Sequence, residues 1–177
     1  KDDKGKVYFY KYFNNITITD SEKRRKRFER HQNHSLTQFN NINKKKIYIF
    51  PEQVDFFFDG RCKRYFKVME KLEGQDLNDF IKTTPSMELI FEWIAEILYT
   101  LEQMHSYGIV HTDLKPENIF INIKKIDGKE KKIVRLIDLE DVIFVKEEIY
   151  PINLVGTELW LSPEHMCVQN NMEGWTI

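Results

Sequence analysis

Residues His111 to Phe120, reading HTDLKPENIF, place a carboxylate, an ammonium and a carboxamide close together in the chain. Asp113 can accept the proton of an attacking hydroxyl, Lys115 can steady the oxygens of a group in transfer, and Asn118 can hold a divalent ion. This set suits phosphoryl transfer, in which positioning and charge neutralisation carry most of the catalysis. The bland alternative is a polar loop that happens to hold the same residues. The motifs on either side decide between the two.

The run resembles the catalytic loop of eukaryotic protein kinases, usually His-Arg-Asp followed by Leu-Lys-Pro-Glu-Asn, with Thr112 in the arginine's place. Further motifs of that family follow in its order. Asp138-Leu139-Glu140 stands in the register of Asp-Phe-Gly, whose aspartate chelates the magnesium bridging the phosphates. Leu139 keeps an apolar residue there. Glu140 replaces a glycine able to adopt backbone angles closed to other residues, so it either stiffens the loop or adds negative charge near the phosphates. The stretch from Gly156 to Glu164 resembles the end of an activation segment, Gly-Thr-x-x-Tyr-x-Ala-Pro-Glu, with Trp160 in the tyrosine's position. The resemblance implies that Thr157 hydrogen-bonds Asp113 and Lys115. Thr157 and Lys115 both fit the serine/threonine type. Tyr150 and Thr157 are also candidate modification sites, though an exposed hydroxyl is the commoner reading.

Upstream, Lys11 matches the lysine of the Val-Ala-Ile-Lys motif, which pairs with the nucleotide's inner phosphates. Taken alone, it reads as a solvent-facing lysine on an edge strand. By the resemblance its partner is a glutamate on the next helix. Glu29 follows it by 18 positions, near the family separation, and Glu22 by only 11, so Glu29 is preferred. The sequence YFKVMEKLEGQDL resembles the hinge, with Met69 as gatekeeper and Glu70 and Leu72 offering backbone groups to the adenine.

The resemblance thus implies an α+β, two-lobed protein-kinase-like fold, truncated at both ends. A small lobe built on antiparallel sheet and the hinge spans residues 1–72, and a mainly helical large lobe spans 73–177. It also implies ATP and Mg2+ as cofactors. Lys11, Glu29, Met69, Glu70, Leu72, Asn118 and Asp138 then form the nucleotide site, Asn118 and Asp138 hold the metal, and Asp113 and Lys115 act on a protein substrate. No glycine-rich loop precedes Lys11, and the arginine that pairs with Glu164 in the family lies beyond Ile177. With Thr112 and Glu140, that omission supports a rival: a pseudokinase acting as a nucleotide-binding or scaffolding module, or an inactive fragment. The catalytic loop matches kinases of splicing factors while Gly-Thr-x-x-Trp matches inositol-requiring stress sensors, so no subfamily is assigned.

Residue patterns supply elements to position these groups. Val7 to Phe13 reads as a strand after the turn-like Asp3-Lys4-Gly5, and Asp20 or Ser21 caps a helix from Glu22 to about Asn33. Ile47 to Phe50, Val54 to Phe58 and Arg61 to Glu70 read as strands, the last two joined at Asp59-Gly60. Gly74 and Asp76 lead into a short helix, Leu77 to Ile81. From Met87 to Tyr107, Ile90, Ile94, Ile97, Leu98, Leu101 and Met104 mark an amphipathic helix with a core stripe, started at Thr84-Pro85-Ser86. Ile119 to Ile123 and Ile133 to Ile137 form a hairpin turning near Asp127-Gly128.

Over 177 residues, a hydrophobic share of 41% is enough to build a core. A net charge of −1 from many charges of both signs implies no bulk attraction to nucleic acid or membrane. The basic run Lys23 to Arg27 reads as a solvated helix face rather than a nucleic-acid patch. His31 and His34 lack a third ligand for a metal site. Cys62 and Cys167 have no metal or redox spacing, which fits a reducing, intracellular setting, cytoplasmic or nuclear. No apolar run reaches membrane-spanning length and no signal peptide is visible, so no membrane partner is expected.

Overall fold

A computed structural model describes residues 6–13, 21–45, 47–126, 128–151 and 156–163. The expected turn at Asp3 to Gly5, and Asp20, Asp127, Glu164 and Cys167, lie outside the described residues.

The first layer is a three-stranded antiparallel sheet of β1 (Tyr8–Phe13), β2 (Gln53–Asp59) and β3 (Arg64–Glu70), in the order β1-β3-β2. Lys11 sits directly opposite Lys67 in the β1/β3 register. The loop between β2 and β3 is Gly60 to Lys63, longer than a two-residue turn. Asp59 organises it by accepting from the Arg61 amide at 2.8 Å, and the left-handed residue is Lys63, with φ 55°.

Helix α1 (Glu22–Lys44) packs on this sheet, capped by the Ser21 hydroxyl, which accepts from the Arg24 amide. It runs to Lys44, well past Asn33. Its buried residues explain the extension: Phe28, His31, Gln32, Ser35, Phe39 and Ile42 keep a helical spacing through the polar stretch. Tertiary burial outweighs the weak helix propensity of the Asn and Thr residues there. Residues 47–50, expected as a strand, are irregular. Pro51 has no amide N–H with which to carry a ladder onward, and Ile49 and Phe50 anchor the segment by burial instead. The Ile49 carbonyl accepts from the Leu136 amide at 2.9 Å.

The second layer holds β4 (Gln75–Asp76), α2 (Leu77–Ile81), α3 (Met87–Ser106) and the hairpin of β6 (Ile119–Ile126) with β7 (Lys129–Leu136). Gly74, at φ 119°, approaches so closely that an added Cβ would lie 2.2 Å from the Ile121 carbonyl oxygen. Asp76 caps α2 and Ser86 caps α3. The buried face of α3 is Trp93, Ile97, Thr100 and Met104, whereas Ile94 and Leu98, expected in the core, are exposed. Apolar residues occupy more of the circumference than packs: Phe80 and β7 cover only the Trp93 side.

Beyond α3, β5 (Ile109–Val110) pairs antiparallel with β8 (Ile143–Phe144). This pairing brackets the stretch between them, so His111 and Asp138 are brought to one place. One apolar cluster joins the layers, with Phe39 and Phe50 from the first side meeting Met104, Leu136 and Phe144 from the second. A smaller one of Phe13, Phe28 and Tyr65 lies between α1 and the outer sheet. No helix among the described residues is long and apolar enough to cross a membrane.

Candidate active site

The loop after β5 is pinned from beneath. His111 is buried, and its Nε2 donates to the Ile137 carbonyl at 2.9 Å, tying the loop to the residue before Asp138. Burial holds the imidazole below its usual pKa, so the neutral form makes this bond. Thr112 adopts φ 68°, a rare conformation for a β-branched residue, and its hydroxyl donates to the Asp141 carbonyl at 2.9 Å.

Asp113 is held by four donors. One carboxylate oxygen accepts from Lys115 Nζ at 2.7 Å and Asn118 Nδ2 at 3.2 Å, and the other from the Thr157 amide and hydroxyl, each at 2.8 Å. Lys115 Nζ also donates to Thr157 Oγ1 at 2.7 Å. Burial pushes the Asp113 carboxyl up, but the bonds from Lys115 and Thr157 hold it below its ordinary value overall. It is therefore an anionic acceptor fixed in orientation. A 3-10 turn, Pro116–Asn118, swings Asn118 back so that its Nδ2 reaches the Asp113 carbonyl at 2.8 Å. This commits the amide nitrogen and keeps the carboxamide oxygen, the atom a divalent ion takes, for other partners.

A cleft of about 440 Å³ opens between the layers, lined by Lys11, Met69, Glu70, Leu72, Asn118 and Asp138 among others. Phe9, Phe120 and Ile137 give it apolar walls. That combination suits a flat heterocycle attached to phosphates. Asp138 stands at φ 60° and is ion-paired to Lys11. Its carboxyl is held well below the usual range by the Glu140 hydrogen bond and the Lys11 ammonium, despite burial. A second hollow, of about 500 Å³, lies beyond the hinge along Glu73, Lys124 and Arg135; it shares Glu70, Leu72 and Phe120 with the cleft and holds none of Asp113, Lys115 and Asn118.

Glu29 is not the partner of Lys11. Its carboxylate accepts from the Tyr65 hydroxyl, on the outer side of α1 where Phe28 meets Tyr65. A spacing of 18 positions fixes neither the rotation of the helix nor its entry point. The residue of α1 that reaches inward is Gln32: its Nε2 donates to the Glu140 carbonyl at 2.9 Å and its Oε1 accepts from Lys67 Nζ at 3.3 Å. The second carboxylate on Lys11 is Glu140, whose Oε2 lies 2.8 Å from the ammonium. Glu140 is buried, and it lines the same cleft with its carboxyl against Lys11. Burial and Asp138 push its carboxyl up, against the pull of Lys67 and Lys11.

Sequence reasoning missed Gln32 and Lys67. A signal for Lys67 was present: strand alternation places it on the same face as Tyr65 and Met69, an ammonium at a position expected to be apolar. His31, considered as a metal ligand, is instead a buried prop donating from Nε2 to the Val142 carbonyl at 2.7 Å.

A carboxylate acceptor, a cleft lysine, and an aspartate with an asparagine at the cleft floor define the phosphotransferase class of site. The chain belongs to the protein kinase family: the model described as "Protein kinase domain" matches residues 1–176. A probable serine/threonine-protein kinase of Dictyostelium discoideum is 33% identical over 123 residues, 66% of this chain and 28% of its own length. Another, PknB of Bifidobacterium longum, is 31% identical over 144 residues, 76% of this chain and 20% of that protein. The probable serine/threonine protein kinase IREH1 of Arabidopsis thaliana is 39% identical over 74 residues, 40% of this chain and 6% of that protein. The chain spans less than a third of the length of each of these relatives.

Proposed function

We propose that this chain carries the catalytic centre of a kinase that transfers the terminal phosphoryl group of ATP, with Mg2+, to serine or threonine of protein substrates. The observation that carries the reading is the convergence of Lys11, Asn118 and Asp138 on one cleft, with Asp113 adjoining through its bond to Asn118. Met69 and the backbone of Glu70 and Leu72 bound the adenine end, and Lys11 takes the inner phosphates. Asn118 and Asp138 offer two hard oxygen donors, the ligand type a magnesium ion accepts, and that ion supplies charge neutralisation of the phosphates when bound. Asp113 orients the substrate hydroxyl and accepts its proton, while Lys115, already within reach of Asp113 and Thr157, steadies charge on the transferred group. Thr157 sets the height of Asp113 and borders the position a serine or threonine would take.

A second reading, nucleotide binding without turnover, is favoured by one observation: both Asp138 and Glu140 engage Lys11. The two readings part in one experiment. Magnesium-ATP binding to the full-length protein is followed by calorimetry, beside transfer to a degenerate serine/threonine peptide pool. Micromolar binding with transfer supports the kinase. Binding without transfer on any pool supports the binding module, and no binding refutes both. Exposed Cys62, a free thiol, accords with an intracellular, cytoplasmic or nuclear, setting.

A further inference from the structure

The β1/β3 register sets two lysines directly across from each other, Lys11 and Lys67, on one face of the sheet. Like charges at such a position disfavour the pairing. Lys67 is moreover completely buried, and the hydrogen bond from its ammonium goes to Gln32, a neutral acceptor that cannot balance the charge. A buried ammonium without an anion is strongly unfavourable. Helix α1 does not supply one, because Glu29 is turned outward to Tyr65.

We propose that Glu140 is the positioning residue for the nucleotide-binding lysine: its buried carboxyl, delivered by the segment that carries Asp138 instead of by α1, shares with Asp138 the negative charge facing the Lys11–Lys67 pair and fixes the Lys11 ammonium beside Asp138. This rests on the phosphoryl-transfer reading for its functional consequence, though not for its electrostatics. Three observations support it. Glu140 Oε2 lies 2.8 Å from Lys11 Nζ; burial holds the Lys67 ammonium below its usual pKa, and Glu140 is the foremost of the charges that oppose this. Its backbone is held as well, because the Glu140 carbonyl accepts from Gln32 at 2.9 Å while Oε1 of the same Gln32 side chain accepts from Lys67. Gln32 thus clips the loop to the strand. The second carboxyl on Lys11 and the metal-binding aspartate are two residues apart in one loop, and α1 reaches that loop through Gln32 rather than through a carboxylate on Lys11.

The test has two arms on the full-length protein. In the first, Glu140→Gln lowers magnesium-ATP affinity ~10-fold or more and raises the KM for ATP while leaving the peptide KM unchanged; Glu29→Gln alters nucleotide affinity by less than ~2-fold. Wild-type affinity in Glu140→Gln, or an equal loss in Glu29→Gln, overturns the assignment. The second arm needs no nucleotide. Lys67→Met raises the melting temperature in the Glu140→Gln background but does not raise it in the wild type, because it removes the cation left unbalanced. If Glu140→Gln alone does not fold, recovery of folding in the double variant is the same result, and a double variant no better than Glu140→Gln overturns the proposal. A wild type that binds no nucleotide sinks the phosphoryl-transfer reading alone, and the melting arm still decides the ion network.

Discussion

Replacing Asp113 by Asn keeps the side-chain shape and removes both the proton acceptor and the charge. Each carboxylate oxygen now accepts from two donors, Lys115 and Asn118 on one side and two Thr157 groups on the other. An amide nitrogen on either side turns two of these contacts into donor facing donor. Lys115 also loses its carboxylate. Because the site is only partly buried, the stability loss is about 1 kcal/mol. The catalytic loss is larger: a positioned base contributes roughly 10²-fold or more, about 2.7 kcal/mol of barrier. Asp113 is not among the cleft-lining residues, so nucleotide affinity stays within about threefold of wild type. The assay pairs calorimetric titration with magnesium-ATP and steady-state transfer to a peptide substrate of the full-length protein. Turnover within threefold of wild type removes Asp113 from the base role. A parallel collapse of nucleotide affinity shows that the two sites are not separable as described.

The Thr112 hydroxyl is committed to the Asp141 carbonyl and offers no charge to a phosphorylated loop, so phosphatase treatment leaves turnover unchanged. Loss of activity on dephosphorylation, restored by phosphorylating the segment between Glu140 and Gly156, refutes this. His31 is pushed down to about 4 by burial, with its neutral ring donating to Val142. Its unfolded value is near 6.5, so the unfolded chain binds the extra proton first. The stabilisation from keeping it neutral is full above about pH 6.5 and lost as pH falls toward 4, about 3 kcal/mol in all. Urea melts across that range should be flatter for His31→Gln than for wild type, and parallel curves contradict the assignment. Gly74→Ala forces a Cβ against the Ile121 carbonyl at an unfavourable φ, and should destabilise by about 2 kcal/mol or more in chemical denaturation. A neutral result means that the Gly74 turn relaxes freely.

The groups legible in the sequence are those set close together in the chain. Asp113, Lys115 and Asn118 meet within one loop and a 3-10 turn, so linear spacing almost determines their geometry. The contacts of Thr157 to Asp113 and Lys115 also match expectation across 44 and 42 positions, because the motif at each end is itself local. Glu29 failed for the opposite reason. A helix sets residues three apart only about 60° from one another, so linear spacing does not tell Glu29, facing Tyr65, from Gln32, facing Glu140. The register Lys11 opposite Lys67 arises from pairing β1 with a strand more than fifty residues away, which no local pattern reports. Ile94 and Leu98 show the same limit, since apolar spacing locates a helical arc but not which part a neighbour covers.

The central claim is that these residues transfer phosphate to a protein hydroxyl. Its most direct test is to incubate the full-length protein with ATP labelled at the terminal phosphate, with and without Mg2+, beside the Asp113→Asn variant, and to hydrolyse the labelled protein or peptide for its phosphoamino acids. The account predicts magnesium-dependent label on serine and threonine, lowered about 10²-fold or more in the variant. Equal label from wild type and variant, or none from a folded wild type that binds the nucleotide, contradicts it.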